Sequence, residues 1–403
     1  MGGVSGCGTD IITAMTGSPS IPRGVWILGF VSLLMDISSE MIHALLPLYL
    51  TVGLGASALV VGFVEGIAEA TALIVKMFSG AISDRLRHRK WITAAGYGLG
   101  ALAKPLFAMA TGAGLVFTAR FIDRIGKGIR GAPRDALIAD LTPKAIRGAA
   151  YGLRQSLDTI GAFAGPLLAM ALMLAWDDDF RAVFWVAVIP GALSFALIAF
   201  AVREPARAPT PPEQGPRFDR ATMRRLGRLF WGVTLLGGLL TLARFSEAFL
   251  ILRGQDLGLA VALAPLVLVG MNLMFALVAY PAGRLADRVS ARGLLIAGIA
   301  ALVASDLVLA SASGMGALAA GVALWGLHMG LTQGLLAALV SKAAPPALRG
   351  TAFGIFNLAS GAAMLAASVL AGALWHYVGP AATFLAGAAL AAAAGVLTLS
   401  AAR

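Results

Sequence analysis

"GAISDRLRHRK", residues 80–90, returns 203 positions later as "GRLADRVSARG", residues 283–293. Gly80 aligns with Gly283, Asp84 with Asp287 and Arg85 with Arg288. A second pair follows at an offset of 202, "TPKAIRGAAYG" (142–152) against "APPALRGTAFG" (344–354). Self-similarity at this distance marks a duplicated unit of domain size, not a short solenoid repeat. Each block lies between two long apolar runs, so the duplicated unit is a bundle of hydrophobic segments.

Of the 403 residues, 59% are hydrophobic and 13% charged, against roughly 45–50% and about 25% in soluble domains. With a mean hydropathy of +0.85, the chain reads as an integral membrane protein. Its 49 glycines suit membrane helices, where they let backbones approach. The apolar runs are about 20 residues long, as a helix crossing hydrocarbon requires, rather than the ~10-residue alternating segments of a barrel. The predicted fold class is all-α, with twelve transmembrane helices arranged as two pseudo-symmetric six-helix bundles. The spans are placed at 25–50, 58–79, 91–111, 114–138, 149–174, 181–201, 229–252, 260–282, 293–312, 316–341, 350–374 and 380–400. Residues 1–24 read as a disordered cytoplasmic tail, 25–202 as the first bundle, 203–228 as a Pro-rich cytoplasmic linker and 229–403 as the second bundle.

The net charge is +11, and Lys and Arg concentrate in the loops at 80–90, 139–148, 203–228, 283–292 and 342–349. The alternate loops hold almost none. By the positive-inside rule both termini face the cytoplasm, which implies a multi-pass protein of a bacterial-type inner membrane. The charge therefore reports topology and needs no nucleic-acid partner. Cys7 is the sole cysteine, which excludes an intramolecular disulfide and a cysteine metal cluster. No basic segment leads an apolar core in the first 20 residues, so no cleavable signal peptide is expected. There is no P-loop, H-E-x-x-H or G-x-S-x-G signature, so an ATP-driven pump and an enzyme are not expected, and no catalytic residue, metal or cofactor is assigned.

Charges nevertheless occur inside the apolar runs. Span 1, "VSLLMDISSEMIHALLPLYL" (31–50), holds Asp36, Glu40 and His43; span 2 holds Glu65, Glu69 and Lys76. Span 4 carries Arg120, Asp123, Arg124, Lys127, Arg130, Arg134 and Asp135, and span 5 carries Arg154 and Asp158. A carboxylate at the bilayer centre costs roughly 2.5–3.5 kcal/mol on insertion scales, so such residues point away from lipid and mark function. Their spacing obliges: Asp36, Glu40 and His43 follow i, i+4, i+7, and Arg120, Arg124 and Lys127 do the same, each set on one helix face. The second half is poorer, with Arg244 and Glu247 in span 7 as its main charges. Static ion pairs, such as Asp123 with Arg154 or Glu69 with Arg124, are the alternative to a transport role, and Asp36 is a further candidate for pairing with a span 4 arginine.

Twelve spans, a cytoplasmic central loop and a G-x-x-x-D-R-x-x-x-[RK] loop after spans 2 and 8 resemble the major facilitator superfamily. "GAFAGP" (161–166) resembles that family's G-x-x-x-G-P antiporter motif, and "RFIDRIGKGIRGAPRDALIAD" (120–140) resembles a bacterial branch of unassigned substrate. Arg87 and His88 depart from the Gly and Arg that often follow D-R-x in the family. The resemblance implies a gating role for Gly80, Asp84, Arg85, Arg89, Gly283, Asp287 and Arg288. Asp84 would meet the N-terminus of span 11, and Arg85 and Arg89 would pair with acids of the other half. Gly161 and Gly165 share a face for close packing, and Pro166 permits a bend.

The expected function is proton-coupled secondary transport of a small organic solute by alternating access, with export by antiport favoured. Desolvation favours the neutral form of a carboxylic acid, so a buried acid can load a proton on one side and release it on the other. Glu40 and Asp158 are the first candidates for that role, then Asp36 and Glu69. His43, Arg120, Asp123, Arg124, Lys127, Arg154, Arg244 and Glu247 are the expected substrate-binding residues, and their cations favour an anionic or zwitterionic cargo. Export of lipophilic cations, or symport import of an organic anion or metal chelate, are the alternatives, with a non-transporting membrane sensor more remote. The expected partners are the lipid bilayer, the small-molecule substrate and protons, with the chain acting as a monomer.

Overall fold

The computed structural model describes residues 21–86, 88–143, 146–204, 220–286, 289–345 and 348–400, and every regular element among them is helical. Twelve long helices run in order: α1 (Arg23–His43), α2 (Ala58–Leu86), α3 (Arg89–Met109), α4 (Ala113–Leu141), α5 (Arg147–Ala175), α6 (Phe180–Ala196), α7 (Gly227–Ala243), α8 (Pro265–Ala286), α9 (Ala291–Ala310), α10 (Met315–Ala343), α11 (Arg349–Tyr377) and α12 (Pro380–Ser400). Residues 1–20 and most of the expected linker, 205–219, lie outside the described residues.

Ten stretches are long and apolar enough to cross a membrane on composition alone. The two helices that fail this test are α3, which carries Lys104, and α4, which carries most of the buried charge. They join the bundle because their polar residues face protein: the buried side of α4 includes Arg120, Asp123, Arg124 and Arg130.

The duplication is visible in the packing. In the first half α3 packs on α4, α2 on α4 and α3 on α6; in the second, α9 packs on α10, α8 on α10 and α9 on α12. The halves meet where α2 crosses α11 and α5 crosses α8. At the first crossing a Cβ on Gly62 would lie 2.1 Å from the Ser368 carbonyl oxygen, so only glycine permits it.

Spans 1 and 7 were expected as continuous helices, and each is broken. The α-helix ends at His43, the chain turns through Ala44–Leu45, and helix resumes at Leu46–Leu48, followed by a wide helical turn at Tyr49–Gly53. Pro47 lacks the amide that an uninterrupted helix would use. In the second half, Arg244–Glu247 leave the helix, and it restarts as Ala248–Asp256 with Ser246 Oγ accepting from the Ala248 amide at 3.3 Å. The two resumed pieces, Leu46–Leu48 and Ala248–Asp256, pack against each other across the halves.

That contact sets the shape. A single apolar core runs across both halves at the end away from the termini, joining Met41, Leu45 and Leu48 with Phe249, Leu250 and Ile251. At the terminus-bearing end the cores are separate: Val25, Leu28, Tyr97 and Leu137 in one half, Phe230, Val340 and Ile355 in the other. The cores of the two halves are thus joined at one end, the sealed end, and separate at the other, the parted end, where α2 and α11 still meet at Met77 and Gly354.

Gly161 and Gly165 pack on α1, within the first half. A Cβ on Gly161 would meet Asp36 Cβ at 2.8 Å, and one on Gly165 would meet Glu40 Cβ at 2.8 Å and the Ile37 carbonyl at 2.9 Å. The expected bend at Pro166 does not interrupt α5, which is helical from Arg147 to Ala175. Substituting Gly165 by Val should push α1 and α5 apart and destabilise the protein by about 1–3 kcal/mol, the usual range for overpacking, read as a lower melting temperature in detergent.

Candidate functional site

Three connected cavities occupy the space between the halves. The central one, about 260 Å³, is lined by Glu40, His43, Glu69, Arg124 and Lys127 from the first half and by Arg244, Glu247 and Asn272 from the second. Toward the parted end lies a chamber of about 350 Å³ with Asp36, Glu40, Lys76, Arg134 and Asp158 on its wall. A third, about 470 Å³, shares Leu73 and Lys76 with it and faces the second half through His328, Gln333, Phe353 and Asn357. The charged wall thus belongs mainly to the first half, as expected from sequence. The breaks in α1 and α7 flank the central cavity, which places Arg244 and Glu247 on its surface.

Behind this wall, α2, α3 and α4 are tied by ion pairs. Arg120 Nη2 donates to Glu65 Oε2 at 2.7 Å and contacts His43 Nδ1 at 2.7 Å. Arg124 donates twice to Asp123 Oδ2, at 2.7 and 3.0 Å, and once to Glu69 Oε1 at 3.2 Å. Lys104 Nζ reaches across from α3 to Asp123 Oδ1 at 2.7 Å and to Ser39 Oγ at 2.9 Å. Arg120, Asp123 and Lys104 are each 1% exposed. None of the three lines a cavity, so Arg120 and Asp123, both expected to bind substrate, stand behind the wall in this conformation.

Nearer the parted end, Arg154 pairs with Asp158 at 2.9 Å and with Asp135 at 3.7 Å. The suggested pair of Asp123 with Arg154 is not formed, because Asp123 is taken by Lys104 and Arg124; the pair of Glu69 with Arg124 is formed. Arg134 donates to Ser32 Oγ at 2.9 Å, and Arg130 stacks on Tyr97 at 5.0 Å, so neither pairs with Asp36. Among the described residues Asp36, Glu40 and Lys127 form no hydrogen bond or ion pair through their side chains, although all three line the cavities.

The gating candidates divide. Gly80 packs near Ala132, and Gly283 has open space around it. Arg89 pairs with Asp140 at 2.8 Å, inside its own half. The side chains of Asp84 and Arg85, and the whole of Asp287 and Arg288, lie outside the described residues.

Lys104 in α3 and Asp306 in α9 are among the buried charges not singled out from sequence. They are repeat equivalents, 202 positions apart. The signal was present, since each is a lone charge in an apolar run. Helical spacing drew attention instead to helices with several charges.

Removing Lys104 leaves Asp123 with less compensation in a dry interior. Lys104→Met should cost about 3–5 kcal/mol, the range for breaking one side of a buried pair. Adding Asp123→Asn should recover part of that loss, and thermal unfolding in detergent measures both.

The sequence profile of the Major Facilitator Superfamily matches residues 28–253 and 242–402. The chain is 31% identical over 387 residues to an uncharacterized MFS-type transporter of Methanocaldococcus jannaschii, covering 94% of this chain and 95% of that protein. It is also 31% identical over 176 residues to a multidrug resistance protein, MdtH, of Photorhabdus laumondii, covering 44% of this chain and 42% of that one. The crystal structure of a mutant of the nucleoside transporter NupG superposes with a TM-score of 0.76 at 15% identity, covering 94% of this chain and 99% of that one. Duplicated six-helix halves, a central cavity between them and a profile match spanning nearly the whole sequence agree: this chain belongs to the major facilitator superfamily.

Proposed function

We propose that the protein is a proton-coupled secondary transporter that exports an anionic or zwitterionic organic solute in exchange for protons. One observation carries this reading. Of the acids at or behind the cavity walls, Glu65, Glu69, Asp123 and Asp158 have cationic partners within 3.2 Å, whereas Glu40, Asp36 and Glu247 have none among the described residues. An acid without a fixed partner, facing a cavity, is free to exchange its proton and to exchange its contacts. Glu40 borders both the central cavity and the chamber toward the parted end, so it is the first candidate; Asp36 is second. Asp158, held by Arg154, falls behind them.

The cargo reading rests on charge. Lys127 and Arg244 line the central cavity without an ion pair among the described residues, one from each half, and would meet an anionic group from both sides. Glu40 and Glu247 on the same wall suit the cationic end of a zwitterion. A second reading, export of a lipophilic cation, draws on the apolar chamber wall of Leu240, Leu336, Phe353 and Phe356 and on the partial similarity to the multidrug resistance protein.

Positive charge in the loops of the parted end puts that end in the cytoplasm, with both termini. The conformation is then inward-facing, the two halves acting as rocking units around the central cavity. The latch at Asp84 and Arg85 would close in the opposite state.

A thermal-shift panel of organic anions, zwitterions and lipophilic cations on the purified protein separates the two cargo readings. With the stabilising compound in proteoliposomes, Glu40→Gln should lower pH-gradient-driven accumulation at least about tenfold, the equivalent of roughly 1.4 kcal/mol. Exchange of cargo without a gradient should persist. Accumulation retained in Glu40→Gln, Asp36→Asn and their combination would sink proton coupling through these acids.

A further inference from the structure

Asp306 is 0% exposed, and neither carboxyl oxygen has a hydrogen-bond partner among the described residues. It lies four residues from the end of α9 that belongs to the sealed side of the molecule. Its surroundings are tight: a Cβ added to Gly387 of α12 would sit 2.6 Å from Asp306 Oδ2 and 3.1 Å from both the Ala243 carbonyl oxygen and Phe245 Cε1. Asp306, the bare glycine face of α12 and the end of α7 where it breaks therefore converge on one point. Phe245 packs in turn on Trp325, tilted, and on Phe384, edge to face, with ring centroids 5.4 and 5.5 Å away.

Each charged or titratable neighbour is committed elsewhere or stands apart. On α9, Arg292 is at the opposite end, bonded to the Leu399 carbonyl. On α10, His328 Nδ1 bonds the Gly298 carbonyl at 2.8 Å, and Lys342 lies in the last turn, at the parted end. Helix α12 contains no titratable residue. At the α7 break, Arg244 and Glu247 face the central cavity. Arg253 is bonded to Asp256 and to the carbonyls of Leu309 and Ala312, at 3.0 and 2.8 Å. On α8, Tyr280 and Arg284 stack on each other. The repeat equivalent of Asp306 is Lys104, whose charge is matched by Asp123; among the described residues the second half has no such partner for Asp306.

An ionised carboxylate in this setting would be an isolated buried charge, which proteins avoid by neutralising the group. We propose that Asp306 is a proton-binding site of the second half, placed behind the break in α7 and separate from the acids of the charged cavity. The bound proton lets the sealed end close over an uncharged carboxyl. Opening that end admits water to α9, and the proton leaves as the carboxylate is hydrated. The reaction is reversible proton dissociation from the carboxylic acid to water, with no other bond made or broken. Broken membrane helices commonly border ion sites, and the α7 break supplies the movable wall.

The inference does not depend on cargo or on proton coupling at Glu40, because its test reads proton occupancy directly. Full-length protein in lipid nanodiscs is followed by infrared difference spectroscopy from acid to alkaline pH. Wild type minus Asp306→Asn should show the carbonyl stretch of one protonated carboxylic acid at acid pH, lost as pH rises. Labelling aspartate with carbon-13 at the side-chain carboxyl shifts this band in the wild type but not in Asp306→Glu, which distinguishes Asp306 from the other aspartates if the Asn variant folds poorly. Three results would overturn the proposal: no band assignable to Asp306, a band unchanged over the whole pH range, or a band abolished by sodium chloride but not by choline chloride at fixed pH.

Discussion

The structure depends on one constraint: the charges that α4 buries in the membrane interior must be matched, mainly by charges from other helices. Arg120, Asp123 and Arg124 stand on the inner face of α4, and three neighbours answer them, Glu65 and Glu69 from α2 and Lys104 from α3. A buried pair of this kind adds little net stability over a hydrophobic substitute, yet losing one partner is expensive. The network therefore acts less as glue than as a register device. It fixes which faces of α2, α3 and α4 meet, and so fixes where the remaining acids of α1 can point.

Those remaining acids owe their exposure to glycine. Gly161 and Gly165 bring α5 against α1 at the level of Asp36 and Glu40, which puts both turns at the edge of the cavity. The breaks in α1 and α7 complete the arrangement. Their outer pieces pack on each other and create the single core at the sealed end, while the inner pieces belong to separate cores. Rocking the halves would exchange the shared core for contacts at the other end, and the two breaks lie where such a motion needs compliance.

Much of this was legible in the residues. The repeat at 80–90 and 283–293, the loop arginines and the apolar runs are local signals, and they read directly as two six-helix units. Helical spacing also grouped Asp36, Glu40 and His43 on one face. Pairing between helices was not legible, because nothing in a one-dimensional pattern tells Asp123 to choose Lys104 over Arg154. The break at Arg244–Glu247 was hidden for a related reason: it contains no proline, and the helix after it is held by packing against Leu46–Leu48 and by the hydrogen bond from the Ala248 amide to Ser246 Oγ.

The amino-acid sequence by itself determined the membrane class, the helix number, the duplication and the concentration of charge in the first half, because these follow from composition and periodicity. Only the tertiary structure decided which charges neutralise each other and which stay open to the cavity, because that choice is made by distances between helices far apart in the chain. It also decided that Lys104 is paired and that its repeat equivalent Asp306 has no partner among the described residues, a difference set by whether a facing helix carries an opposite charge within reach.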